Sequence, residues 1–154
     1  MSIINEINEK VLDEKDLVIL ETLQENASLS IQKIARKTSI PIATVHHRLK
    51  KLQAHGIIKK YTIVIDKTKL GKKLVAYVLI KAAPKSDQII LLEKLMKHDD
   101  VEDGSAITGP FDVMIKVRVR DVDNLDQFVL KYLRTFDEIA QTESMIAFRN
   151  ITKD

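Results

Sequence analysis

From residue 74 onward the hydrophobic pattern switches period in an order that few folds satisfy. Residues 74–82 are mostly aliphatic and read as a strand. Pro84-Lys85-Ser86-Asp87 reads as a turn and helix cap, followed by a helix to about residue 97. A second strand covers 101–108, and Gly109-Pro110 turns the chain. Residues 112–120 alternate: Val113, Ile115, Val117 and Val119 face one side, while Lys116, Arg118 and Arg120 face the other. Asp123 is the expected cap of a helix with Leu125, Phe128, Val129, Tyr132, Leu133 and Phe136 on one side, and 139–151 reads as the last strand. The order β-α-β-β-α-β predicts a ferredoxin-like domain, a four-stranded antiparallel sheet with both helices on one face. The other face needs cover or must be polar. Ser144, Ile146 and Phe148 alternate with Met145, Ala147 and Arg149, so neither face of the last strand is fully polar. Sheet-to-sheet packing in a twofold homodimer is the expected solution.

The first half reads as helices. Asp13 can cap a helix with acidic residues in its first turn and Ile19, Leu20, Leu23 and Ala27 at helical spacing. Ser28-Leu29-Ser30 breaks that pattern, and Ser30 can cap a second helix that buries Ile31, Ile34, Ala35 and Thr38. After Ser39-Ile40-Pro41 a third helix can start at the proline. It runs to about His55, where Gly56 supplies a left-handed end. Its buried stripe is Val45, Leu49 and Leu52. Ala43, His47, Lys50 and Ala54 face outward, flanked by Thr44, His46 and Lys51. Two helices joined by so short a turn, the second basic and outward-facing, form a helix-turn-helix. Residues 57–65 are rich in β-branched side chains and read as a strand, the candidate wing. Residues 66–73 are polar, contain Gly71 and lack periodicity, as a linker does.

Charge gives these helices a partner. Residues 26–65 hold no Asp or Glu but carry Lys33, Arg36, Lys37, Arg48, Lys50, Lys51, Lys59 and Lys60. With a chain total of +3, the rest sums to 3 − 8 = −5. Such segregation makes a local positive field suited to a polyanion. Small side chains at the start of the third helix let its backbone approach base edges, polar side chains reach the bases, and later cations meet phosphate. The expected DNA contacts are Gln32, Lys33, Ala43, Thr44, His46, His47, Arg48, Lys50, Lys51, Lys59 and Lys60. A twofold dimer places two such helices on a palindromic duplex site.

Other classes fit poorly. No apolar run approaches the roughly 20 residues that span a bilayer, and residues 1–10 lack a signal-peptide core, so a cytoplasmic protein is expected. The absence of cysteine removes disulfides and thiolate metal sites. At 5%, aromatic residues are too few for a base-stacking platform. Adjacent His46 and His47 cannot both reach one metal ion from a helix. Asp99, Asp100, Glu102 and Asp103 lie in a helix-to-strand connection, where carboxylates are usually solvated, and no phosphate loop or catalytic spacing accompanies them. Neither an enzyme nor a cofactor is expected.

The chain resembles the leucine-responsive regulator and asparagine-synthesis activator family, the feast/famine regulators. Leu12-Asp13-Glu14-Lys15-Asp16 with Ile19-Leu20 is similar to the family's opening. Ile34-Ala35, Thr44-Val45, Arg48-Leu49 and Leu52 resemble its helix-turn-helix, and Gly56-Ile57-Ile58 with Tyr61 the segment after it. Leu70-Gly71 resembles the hinge, and Thr108-Gly109-Pro110-Phe111-Asp112-Val113 the effector-domain loop. The resemblance implies a transcription regulator that forms dimers and often octamers and binds amino acids near that loop. Carried over, the effector contacts are Thr108, Gly109, Pro110, Phe111 and Asp112, with Thr142 and Ser144. Gly109 would offer an N–H to a carboxylate and Asp112 would pair with an ammonium group. Three departures stand out. Ser39 replaces a frequent turn glycine, at a cost of about 1 kcal/mol if φ is positive there. Pro41 replaces a capping serine, which is expected to shift the helix start by a residue. Phe111 replaces a tyrosine.

The expected architecture is therefore α+β: an arm (1–10), a winged helix-turn-helix domain (11–66), a linker (67–73) and a ferredoxin-like effector-binding and oligomerisation domain (74–154). The expected function is that of a sequence-specific, effector-modulated transcription regulator. The alternative is an architectural protein that coats DNA with low specificity and no effector.

Overall fold

A computed structural model describes residues 12–151; the expected arm at 1–10 lies outside them. The chain divides into two compact units between Ile63 and Val64.

The first unit holds three helices: α1 (Glu14–Glu25), α2 (Ile31–Thr38) and α3 (Ile42–Ala54). A capping box starts α1: the Asp16 N–H donates to Asp13 Oδ1 at 3.0 Å, and the Asp13 N–H to Asp16 Oδ2 at 3.1 Å. The helix ends before Ala27 because Asn26 Oδ1 accepts from the Ser28 N–H (2.9 Å) and hydroxyl (2.6 Å), a local bond that competes with the helical ladder. Ser30 caps α2 by accepting from the Lys33 N–H at 3.3 Å. The turn to α3 passes through Ser39 at φ 58°, ψ 25°, the left-handed conformation that glycine would adopt without strain. Pro41 occupies the N-cap position of α3, not its first turn, and makes no side-chain capping bond. Ile19, Leu23, Ile34, Ala35, Ile40, Val45, Leu49 and Leu52 form the core beneath.

Residues 57–65 form no strand with any described residue. Ile57 and Ile58 donate to the Leu52 carbonyl at 3.0 and 3.2 Å and lean on the core, but Ile63 and Val64 are 78% and 84% exposed. β-branched composition favours extended backbone, yet a strand also needs a neighbour for its ladder.

The second unit contains β1 (Leu74–Ala82), α4 (Gln88–Leu95), β2 (Val101–Ala106), β3 (Val113–Val119), α5 (Val122–Gln127) and β4 (Ile139–Ile146). The sheet order is β2-β3-β1-β4 with every pair antiparallel, the ferredoxin-like arrangement. Ala76, Val78, Ile80, Val113, Ile115, Val117, Leu91, Leu95, Leu125, Phe128 and Leu133 form its core. Asp121, rather than Asp123, caps α5: it stands extended and accepts from the Asn124 N–H at 2.9 Å. The helix then widens into a π turn (Phe128–Tyr132) and tightens into a 3-10 turn (Leu133–Thr135); Tyr132 lies tilted against Phe128 and edge-on to Phe136. Strand β4 stops at Ile146, short of the expected 151; the Ala147 N–H still donates to the Val75 carbonyl at 2.9 Å, but in this register β1, which begins at Leu74, offers no partner beyond residue 148. Beyond it Phe148 is fully exposed. Directly opposed residues share a face. Tyr77, Leu79, Met114 and Met145 therefore lie with Lys116, Arg118 and Glu143 on the face away from the core.

Candidate functional site

Helix α3 shows its outer surface because its inner edge is fixed. Val45, Leu49 and Leu52 are buried, so the opposite row of Ala43, His47, Lys50 and Ala54 is exposed. The flanks differ. Thr44, Arg48 and Lys51 border an open depression with Ala43, His47 and Asp13. His46, Lys50 and Gln53 border another with Tyr61 and the apolar ends of α1 and α2. Gln32 and Lys33 are exposed in the first turn of α2, and Lys59 and Lys60 are exposed after α3.

The positive field is smaller on one side than the carboxylate-free stretch suggests. Arg48 Nη1 lies 2.5 and 2.6 Å from the two Asp13 oxygens and 2.8 Å from Asp16 Oδ1. Lys51 Nζ lies 3.8 Å from Asp16 Oδ2, and Lys37 pairs with Glu25. The acidic start of α1 thus folds back onto α3, and Arg48 is a partner of carboxylates rather than an open phosphate contact. The Arg48 guanidinium holds the Asp13 carboxyl below its ordinary range, and Asp13 in turn pushes Arg48 upward. Lys33, Arg36, Lys50, Lys59 and Lys60 have no carboxylate partner among the described residues. Sequence reasoning missed Asp16 as a partner of α3, although the Asp-x-x-Asp spacing of the capping box was visible.

In the second unit the 107–112 loop closes through the Ile107 N–H donating to the Asp112 carbonyl at 2.9 Å. Thr108, Gly109 and Pro110 are exposed, and Gly109 sits at φ 124° with open space where a side chain would project. Asp112 is engaged within the unit. Its Oδ1 takes Lys81 Nζ at 3.1 Å and its Oδ2 the Ala82 N–H at 2.9 Å. These bonds, the Ala82 N–H first and Lys81 second, lower its pKa. The carboxylate thus fastens the loop to the bulged end of β1. Thr142 opposes Ile80, whose carbonyl accepts from the Asp112 N–H, so the loop end and Thr142 flank one residue of β1. Thr142 also lines a cleft of about 520 Å³ with Leu133, Arg134, Phe136, Asp137 and Gln141. Ser144 opposes Val78 and is exposed on the edge strand.

The acidic connection before β2 is ion-paired. Lys72 Nζ meets Asp100 Oδ1 at 2.6 Å. Glu102 receives Arg118 Nε at 2.7 Å, Lys67 Nζ at 3.1 Å and Lys116 Nζ at 3.3 Å. Burial pushes the Glu102 carboxyl up, but hydrogen bonds from Arg118 and Lys67 outweigh it and leave it below the ordinary range. Among the described residues no helix is long and apolar enough to cross a membrane.

A short-turned helix pair with an exposed basic outer row, on a chain that also carries a ferredoxin-like unit, defines a helix-turn-helix DNA-binding regulator with a second, ligand-binding domain. Residues 12–59 match the family described as winged helix-turn-helix DNA-binding, and residues 75–154 match the Lrp/AsnC ligand binding domain. The chain belongs to the Lrp/AsnC family of transcription regulators. It is 35% identical over 136 residues to an uncharacterized HTH-type transcriptional regulator of Pyrococcus horikoshii, covering 88% of this chain and 85% of that one. It is 30% identical over 140 residues to the regulator FL11 of Pyrococcus furiosus, covering 90% and 91%. The solved structure of E. coli AsnC superposes with a TM-score of 0.84 at 30% identity, covering 93% of this chain and 97% of that one.

Proposed function

We propose that α3 lies in the major groove of duplex DNA. Ala43, Thr44, His46 and His47 lie over base edges, and Gln32, Lys33, Lys50, Lys51, Lys59 and Lys60 lie along the phosphates. The observation that carries this reading is the exposed row of Ala43, His47 and Lys50, with small side chains at the helix start and, later, a cation that has no carboxylate partner among the described residues. We assign residues 11–66 to DNA binding, 67–73 to a linker and 74–154 to effector binding and assembly. The protein acts as a cytoplasmic twofold homodimer on a palindromic site and assembles further to octamers. Tyr77, Leu79, Met114 and Met145 on the outer sheet face support face-to-face pairing of two copies. The reading needs no cofactor, metal or catalytic group.

The effector is a free amino acid held near the 108–112 loop and Thr142. Regulators of this fold from Neisseria meningitidis and M. tuberculosis, 23% and 22% identical, were solved with L-methionine. Selecting bound sequences from a random duplex pool, then competing the winner against random duplex, tests the DNA reading. A specificity ratio near one would favour an architectural, DNA-coating role. Thermal shift against each of the twenty amino acids tests the sensor, and no stabilisation by any of them would remove it.

A further inference from the structure

We infer that Arg48, gripped by Asp13 and Asp16, is a positioning residue: it sets the seat of α3 and thereby the sequence preference of the protein, without itself touching DNA. The inference rests on α3 being the DNA face. Apolar contact alone holds Val45, Leu49 and Leu52, and such contact is non-directional, so it leaves small rotations and slides of the helix weakly opposed. The start of α3 adds no directional bond, because Pro41 makes no side-chain cap. Arg48 supplies one in mid-helix, through Nη1 contacts of 2.5, 2.6 and 2.8 Å to two carboxylates.

Those carboxylates are themselves fixed. Each accepts the other residue's backbone N–H in the capping box of α1. The Asp16 side chain is 0% exposed, so a shift of α3 that withdrew Arg48 would weaken the pairing of a fully buried charge. Arg48 itself is only 19% exposed. The clamp also borders the depression lined by Ala43, Thr44 and His47, so its geometry passes directly to the residues over the bases. One nitrogen makes all three contacts, and Nε is buried without a partner among the described residues. A point cation can therefore stand in, and Arg48→Lys is the conservative replacement.

The test uses the full chain, the duplex selected from a random pool by the unaltered protein, and a random-sequence duplex. Both affinities are measured at several salt concentrations for Arg48→Met, Arg48→Lys and Lys50→Gln. We expect Arg48→Met to lower the selected-to-random ratio about tenfold or more, because a wrong base costs that much, with an unchanged salt slope. Arg48→Lys should restore most of the ratio. Lys50→Gln should weaken both duplexes alike and flatten the slope. A flattened slope with an intact ratio in Arg48→Met would make Arg48 a phosphate contact and overturn the inference. An unchanged ratio and slope beside a lowered melting temperature would reduce it to a fold-stabilising pair and overturn it as well. If Arg48→Met does not fold, Asp13→Asn decides, since asparagine still caps the helix but removes the exposed half of the clamp; an intact ratio there overturns the inference. An unchanged slope in Lys50→Gln would instead refute the DNA face itself.

Discussion

Lys50 offers the sharpest quantitative test of the DNA-facing row. It is exposed, sits on the same stripe as Ala43 and His47, and has no carboxylate partner among the described residues. Neutralising a contact that releases condensed counterions changes the slope of log affinity against log salt by about 0.9 per phosphate on duplex DNA. A dimer presents the residue twice, so Lys50→Gln should flatten the slope by about 1.8. If the two proteins converge at 1 M salt, where this contribution vanishes, the deficit is about 60-fold at 0.1 M and roughly 18-fold at 0.2 M. The larger value corresponds to about 2.5 kcal/mol. Fluorescence anisotropy on a labelled duplex across 0.05–0.4 M salt (about one decade) reads both quantities. A parallel pair of lines, or an affinity deficit that does not shrink with salt, would refute the placement of Lys50 against phosphate.

Ser39→Gly should raise the stability of the first unit by about 0.5–1 kcal/mol, because Ser39 holds a left-handed conformation at φ 58°; a urea midpoint that falls would contradict the strain. Gly104→Ala should destabilise the second unit by about 1–2 kcal/mol. The added carbon would lie 2.6 Å from Leu92 Cδ1 and 3.2 Å from Ile115 Cγ2. The melting temperature should drop by about 4–8 °C per kcal/mol, and an equal cost in a Leu92→Ala background would show that the clash is not the cause. Asp13, Glu102, Asp112 and Glu138 all have folded pKa values held down by their partners. Their contribution to stability is thus complete above about pH 4.5, the unfolded carboxylate range, and is lost as pH falls through the lower folded values. Denaturant midpoints measured from pH 6 to 2 (about the range the linkage spans) should decline below that point; a flat profile would mean the ion pairs add nothing.

Much of the fold is legible in the sequence because local chemistry carries it. Gly56 and Ser30 mark helix ends whatever surrounds them, and the alternation of Val113, Ile115, Val117 and Val119 fixes which side of β3 meets the helices. What depends on distant partners is not legible. Arg48 looks like one of eight open cations until the fold brings it to carboxylates 32 and 35 residues away. Asp112 looks unpaired until Lys81 and the Ala82 N–H arrive from β1. Residues 57–65 have the composition of a strand, but pairing belongs to two segments and cannot be read from one. Asp121 and Asp123 are chemically alike, and only the backbone angle before the helix separates cap from first turn.

The division of labour along α3 bears on how such proteins diversify. Anchorage falls to Val45, Leu49, Leu52 and Arg48, with Lys51 beside the Asp16 carboxylate, while Ala43, His47 and Lys50 contribute little to holding the domain together. Mutations in the outward row can accumulate at small thermodynamic cost, so a lineage can acquire a new genomic address while keeping an old scaffold.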